Sequence, residues 1–292
     1  MTDPSSAPGG RLAPLLPAIV AASSFACADV LTKITLHEGA DVLTMTVFRG
    51  FIGLPMLLGW LYIGARPAPL TPRAMWISLG LGLLFAGNVY WLFKAIETLT
   101  VPVAVLTYFA YPLLTGLAAA AIGIERLGVF GIAVAVVAFL GLALMIGAQP
   151  GGVAIAGIVF GLAAASCRVI TLLVTRATLT GADARLITFY SFLAATAVFV
   201  ALALATWNWQ APHSPLGWIA LVGASIVTTV AVLCVFISTM RVGPFRTALF
   251  MNLEPLLATV GSAIFLGEVI TPLQGFGGAV MIGALVAFQL RR

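Results

Sequence analysis

Glu254 lies in the run Phe250-Met251-Asn252-Leu253-Glu254-Pro255-Leu256-Leu257-Ala258, with no other charge between Arg246 and Glu268. A carboxylate in such a setting is expensive whether protein core or lipid surrounds it. Four further ionisable side chains share this predicament: Asp29, Lys33, Arg49 and Arg168. In an apolar medium such groups either pair with one another and lock elements together, or meet a charged solute or a proton. Arg168 suits a carboxylate. Glu254 suits an ammonium group or a transferable proton, and it suits equally a structural role, neutral or accepting hydrogen bonds from a neighbouring helix. Asp29 and Lys33, four residues apart, share one helical face, and with Arg49 they form either a structural ion network or a gate.

Composition sets the elements that must carry these groups. Of 292 residues, 62% are hydrophobic and 8% charged, whereas a soluble domain carries roughly 25% charged residues to wet its surface. The solvent of this chain is therefore mostly lipid. A bilayer-spanning helix needs about 20 mostly apolar residues, and the polar breaks delimit ten such segments: 14–36, 41–64, 74–96, 101–122, 128–148, 152–176, 184–206, 216–238, 244–266 and 272–290. The loops between them leave no room for a soluble domain. The net charge of +5 does not imply a nucleic-acid partner, because Lys and Arg occur singly apart from Arg291-Arg292, as membrane orientation requires. Cys27, Cys167 and Cys234 all fall in apolar segments without metal-binding spacing, so neither a metal nor a cofactor is implied. Residues 1–13 form a polar, Pro/Gly-rich tail without an evident cleavage site, so the first span is expected to be retained.

Basic residues set the orientation. With the N-terminus inside, Arg11, Arg66, Arg73, Arg126, Arg176, Arg185, Arg241, Arg246, Arg291 and Arg292 collect on the inner side and only Lys94 on the outer. The positive-inside rule then puts both termini in the cytoplasm. Trp60 and Trp76 fall at inner ends and Trp91, Trp207, Trp209 and Trp218 at outer ends, as an interfacial belt requires.

The chain also repeats itself. An offset of 143 residues lays Tyr111-Pro112-Leu113-Leu114 on Glu254-Pro255-Leu256-Leu257 and Glu125 on Glu268, and an offset of 142 lays Gly39-Ala40-Asp41 on Gly181-Ala182-Asp183. Two halves of five spans, 14–148 and 152–290, joined at Gln149-Pro150-Gly151-Gly152, follow from this. Five is odd, so the second half enters the membrane in the opposite sense. Inverted repeats of this kind bind solute near the midplane between the halves and alternate between access from either side. Counting from the helix ends, Glu254 lies roughly ten residues and Arg168 roughly eight from the same membrane face, so their depths match. Glu254 is the repeat mate of Tyr111, and Tyr108 and Tyr111 share a face of the fourth helix opposite Met251 and Glu254. With Asn88 and Tyr90 on the third helix they would line an aromatic, sparsely polar cavity suited to a small amphipathic solute. Pro112 and Pro255 match across the repeat. Proline-interrupted helices in corresponding halves point to a transport site, with a static kink as the alternative.

Each half begins with a helix bearing a basic residue (Lys33, Arg176). Each has a fourth helix with Tyr111-Pro112 or Glu254-Pro255, followed by Gly123-Ile124-Glu125 or Leu266-Gly267-Glu268. In these features, over nearly its whole length, the chain resembles the EamA-type members of the drug/metabolite transporter superfamily. The resemblance implies an all-α membrane protein of ten helices that exports small metabolites. Its length, short loops and aromatic fourth helix look most similar to the bacterial inner-membrane exporters of aromatic and other neutral amino acids. A carrier of drugs or other metabolites fits the same motifs. An enzyme would need a His, Asp or Cys cluster at one interface, and no such cluster, phosphate-binding loop or HExxH occurs; His37 and His213 fall in outer loops. A passive channel needs no inverted repeat. No ATPase subunit is evident in the chain. Small residues at four-residue spacing, such as Gly275/Ala279/Gly283, are expected to bring helices close.

The orientation has a direct check. In a cysteine-free background, single cysteines in residues 67–72 are expected to react only from the cytoplasmic side and those in 210–215 only from outside. Outside labelling of 67–72 would overturn the span count.

Overall fold

The computed structural model describes residues 13–63, 67–125, 128–147, 154–207 and 209–290. The tail, the Gln149–Gly152 junction and Arg11, Arg66, Arg126, Arg291 and Arg292 lie outside the described residues. The helices are α1 (Leu16–His37), α2 (Val42–Ile63), α3 (Pro72–Thr98), α4 (Val101–Tyr108), α5 (Tyr111–Ala121), α6 (Val129–Ile146), α7 (Ile155–Thr178), α8 (Ala184–Thr206), α9 (Pro215–Val242), α10 (Pro244–Phe250), α11 (Leu253–Leu266) and α12 (Pro272–Leu290). Among the described residues there is no strand, and ten segments are long and apolar enough to cross a membrane. The pairs α4/α5 and α10/α11 each make one interrupted span, the fourth and the ninth.

The repeat is visible in the turns that begin the spans. Gly39 and Gly181 take left-handed conformations at φ +90° and +92°, which glycine adopts without penalty. Two residues later Asp41 accepts from the Leu43 and Thr44 amides, and Asp183 accepts from the Arg185 amide. These carboxylates satisfy donors that a helix start leaves unpaired. Hydrogen bonding from Arg185 holds the Asp183 carboxyl below the usual carboxylate range.

Packing crosses between the halves. The first span α1 lies along α9, and the repeat turns that contact into the one between α7 and α3, which also lie along each other; α2 packs on α8 and α6 on α12. The last two pairs each join a span to its own repeat mate, so the pseudo-twofold axis passes between them. Neither half is a separate body.

Small residues decide how closely these spans approach. A Cβ at Gly277 would fall 2.6 Å from the Gly141 carbonyl oxygen, and one at Gly141 would fall 2.8 Å from that of Gly277, so α6 and α12 meet backbone to backbone. The expected Gly275/Ala279/Gly283 stripe is not this interface. All three are exposed and nothing lies within 4 Å of a Cβ at Gly275 or Gly283. Gly277, Gly278 and Met281 form the contact face instead. Helical period decides this: residues two apart point to opposite sides. Of the tryptophans, Trp60, Trp76, Trp207, Trp209 and Trp218 are exposed near helix ends, whereas Trp91 stacks on Phe160 at 5.6 Å.

Gly277→Leu is expected to lower the melting temperature of the purified protein, because overpacking typically costs about 1–3 kcal/mol. Gly275→Leu should leave it unchanged. Equal melting of the two variants by tryptophan fluorescence would refute the backbone contact.

Candidate functional site

The interruptions of the fourth and ninth spans organise the centre. The chain turns at Phe109-Ala110 and at Met251-Asn252, and the prolines lie just beyond, in the first turns of α5 and α11. Proline is tolerated there because the first turn has no intrahelical use for its missing N–H. A proline inside a helix frees the carbonyl four residues earlier, but ahead of Pro255 the Met251 carbonyl is taken up, accepting the Glu254 amide at 3.0 Å. Glu254 thus sits in the first turn of a half-helix, at the positive end of its dipole, the favourable end for an anion.

Arg168 on α7 is the hub. Its guanidinium carbon lies 5.7 Å from the Phe25 ring centroid and 5.8 Å from that of Tyr111, within cation–π range of both. The Tyr111 hydroxyl approaches it, and Tyr108, whose ring lies 5.4 Å from that of Tyr111, faces Asn88. The Asn88 amide also donates to the Ala164 carbonyl at 2.7 Å. Glu254 interacts electrostatically with Arg168 and with Asp29, and Asp29 with Arg49. Two basic and two acidic side chains from α1, α2, α7 and α11 therefore lie within electrostatic reach of one another. The Nε atoms of Arg168 and Arg49 are buried without a hydrogen-bond partner, so donor capacity remains for a further acceptor.

Beside Arg168 and Asn88 is a gap of about 30 Å³, walled also by Thr171, Ser191, Phe192 and Phe236. Such a volume has room for water, which needs about 10–15 Å³ of space of this kind. A metabolite needs more room, which requires the surrounding spans to separate.

The structure brings together Arg168, Glu254, Asn88, Tyr108 and Tyr111 among the site residues expected from sequence, and parts others from them. Tyr90 is half exposed with its ring 5.0 Å from Trp91. It lies two residues from Asn88 and so points away from it. Met251 is wholly buried in the same core cluster as Tyr111, Phe109 and Ala248. The expected Asp29–Lys33–Arg49 network is not a set of direct pairs. Lys33 reaches Glu268 at 3.1 Å, and Arg49 donates to the Thr32 hydroxyl at 2.8 Å. Lys33 lies a full turn beyond Asp29, nearer the end of α1, where Glu268 is within reach.

Sequence reasoning missed Phe25. A signal for it was present: the 143-residue offset lays Ala21-Ala22-Ser23 on Ala164-Ala165-Ser166 and Phe25 on Arg168. The centre thus consists of two repeat pairs, Phe25/Arg168 and Tyr111/Glu254, aromatic in the first half and charged in the second.

Tyr111 is buried to 1% exposure. Tyr111→Ala is therefore expected to cost about 3–5 kcal/mol of stability, as large-to-small aromatic substitutions in cores do, and to lower folded yield. Tyr111→Phe, which keeps the ring over Arg168, should preserve yield and thermal stability. A well-folded Tyr111→Ala with unchanged melting would refute the packing role.

The profile of the EamA-like transporter family matches the chain twice, over residues 12–147 and 155–288. One crystal structure superimposes with a TM-score of 0.78 at 19% identity, covering 95% of this chain and 97% of that one. At that identity the likeness shows the fold alone. No curated protein matches the sequence.

Proposed function

Since the chain belongs to the EamA-like transporter family, a multi-pass membrane group within the drug/metabolite transporter superfamily, we propose that it exports aromatic or other neutral amino acids, or similar small metabolites. The carrier works by alternating access in a bacterial inner membrane, with both termini in the cytoplasm. One observation carries the substrate class. Arg168, held beneath two aromatic rings with an unpartnered buried Nε, lies in the same electrostatic cluster as Glu254. A zwitterion answers both: its carboxylate meets Arg168 while its ammonium group meets Glu254 and Asp29. The rings of Phe25, Tyr108 and Tyr111 supply apolar faces for its side chain.

The geometry also supports a moving carrier. The gap beside Arg168 is too small for an amino acid, so binding requires the cross-packed helices to separate. Pro112 and Pro255, next to the two chain interruptions, serve as hinges about which α5 and α11 tilt against α4 and α10. Solute and proton compete for Glu254, which provides a route to coupling without a bound nucleotide.

Counterflow of labelled amino acids in proteoliposomes tests this reading, with saturable exchange of an aromatic or neutral amino acid as the expected result. Arg168→Gln should weaken apparent affinity about 10- to 100-fold, since a hydrogen bond to a charged group contributes about 1.5–3 kcal/mol. Glu254→Gln should insert normally while export falls or loses its pH dependence. Exchange of lipophilic drugs but of no amino acid would replace this reading with that of a drug carrier. Normal, pH-dependent export by Glu254→Gln would remove that residue from the mechanism.

A further inference from the structure

Away from the central cluster, two glutamates occupy equivalent backbone settings at opposite ends of the bundle. Glu268 follows α11, and its amide donates to the Ser262 carbonyl at 3.4 Å; Glu125 follows α5, and its amide donates to the Ala119 carbonyl at 3.2 Å. The 143-residue offset carries Ala119 onto Ser262 and Glu125 onto Glu268. In each case a glycine in the left-handed region, Gly267 at φ +69° or Gly123 at φ +74°, closes the helix just before the acid. The same offset carries Lys33 onto Arg176. Each end of the molecule thus brings one basic residue from the first helix of one half towards one acid from the interrupted helix of the other.

The side chains break this symmetry. Lys33 on α1 grips α11, reaching Glu268 at 3.1 Å and the Ser262 hydroxyl at 3.1 Å. Its mate Arg176 instead donates to the Met240 carbonyl near the C-terminal end of α9. Glu125 rests against the same helix end: a Cβ at Gly243 would overlap its carboxylate oxygen. One end is therefore tied by a basic–acid grip between halves, whereas at the other the basic residue is held on a carbonyl of its own half.

We propose that Lys33–Glu268 and Arg176–Glu125 are alternating end clamps, one made in each of the two access states. The inference rests on the alternating-access reading above. In an inverted repeat the second state exchanges the conformations of the halves. Arg176 then leaves Met240 for Glu125, while Lys33 leaves Glu268 for the Glu97 carbonyl, the repeat mate of Met240. The clamps are unequal because Ser262, which gives Lys33 a second oxygen, is replaced by Ala119 at the other end. Ser262 therefore biases the resting protein towards the state with the Lys33 end clamped.

Distances between spin labels at the two ends test this without a transport assay. In a Cys27→Ser/Cys167→Ser/Cys234→Ser background, one reporter carries labels at Leu36→Cys and Val269→Cys, and the other at Ile122→Cys and Thr178→Cys. All four label sites are exposed. Two distance populations are expected in lipid nanodiscs for each pair, the short form favoured at the Lys33 end. Lys33→Met or Glu268→Gln should shift the ratio towards the opposite state roughly two- to fivefold, the range that an exposed ion pair commands. Ser262→Ala should shift it the same way but less, and Arg176→Met should shift it in the reverse direction. Exchanging the charges with Lys33→Glu and Glu268→Lys should restore the wild-type ratio. Two populations that Lys33→Met and Glu268→Gln leave unmoved, or that Arg176→Met moves in the same direction as Lys33→Met, would overturn the clamps alone. A single fixed distance at both ends in the wild type would overturn alternating access itself, and the clamps with it.

Discussion

A charge placed in the middle of a bilayer must be answered by protein, because lipid offers neither counter-charge nor hydrogen bond. Arg168 is answered by the faces of Phe25 and Tyr111 and by the field of Glu254. Much of the remaining structure follows from that requirement. The rings must come from α1 and α5, the acid from α11, and the cation from α7, so two helices of each half have to meet at one point. Cross-packing of the halves is the arrangement that permits this meeting.

The same requirement explains why the interrupted spans lie at the centre. An interruption leaves backbone groups without helical partners, which is tolerable within a bilayer only where protein or trapped water surrounds them. Met251 and Asn252, at the ninth-span interruption, are buried to 0% and 2% exposure, and the Asn252 amide donates to the Leu249 carbonyl at 3.0 Å. The Asn252 side chain thus ties the turn back to α10, with its Oδ1 left buried and without a hydrogen-bond partner, and the buried position of the turn places the first turn of α11, with Glu254, beside Arg168.

Stability and transport place opposing demands on this centre. Close backbone packing between α6 and α12 and the core around Tyr111 favour a single arrangement, whereas a 30 Å³ gap compels rearrangement before a solute enters. The half-exposed Lys33–Glu268 pair is suited to the moving part of such a molecule. Ion pairs in water-accessible positions contribute little and exchange partners cheaply, which a gate requires and a core does not.

The sequence by itself determined the apolar solvent, the ten spans and the twofold repeat, because each is a property of composition or spacing along one chain. Hydropathy counts residues against bilayer thickness, and an offset of 143 residues needs no coordinates. Even Phe25 was legible as the repeat mate of Arg168. Tertiary structure decided which neighbours each charge takes. Lys33 could face Asp29 one turn away or Glu268 from the other half, and only the packing of α1 against α11 selects Glu268. Likewise Tyr90 and Asn88 share a short stretch, and the contact of α3 with α7 turns one towards the site and the other out. A pattern along the chain specifies faces of helices, whereas partners depend on which faces meet, and that is settled by the fit of small residues such as Gly141 and Gly277 across the bundle.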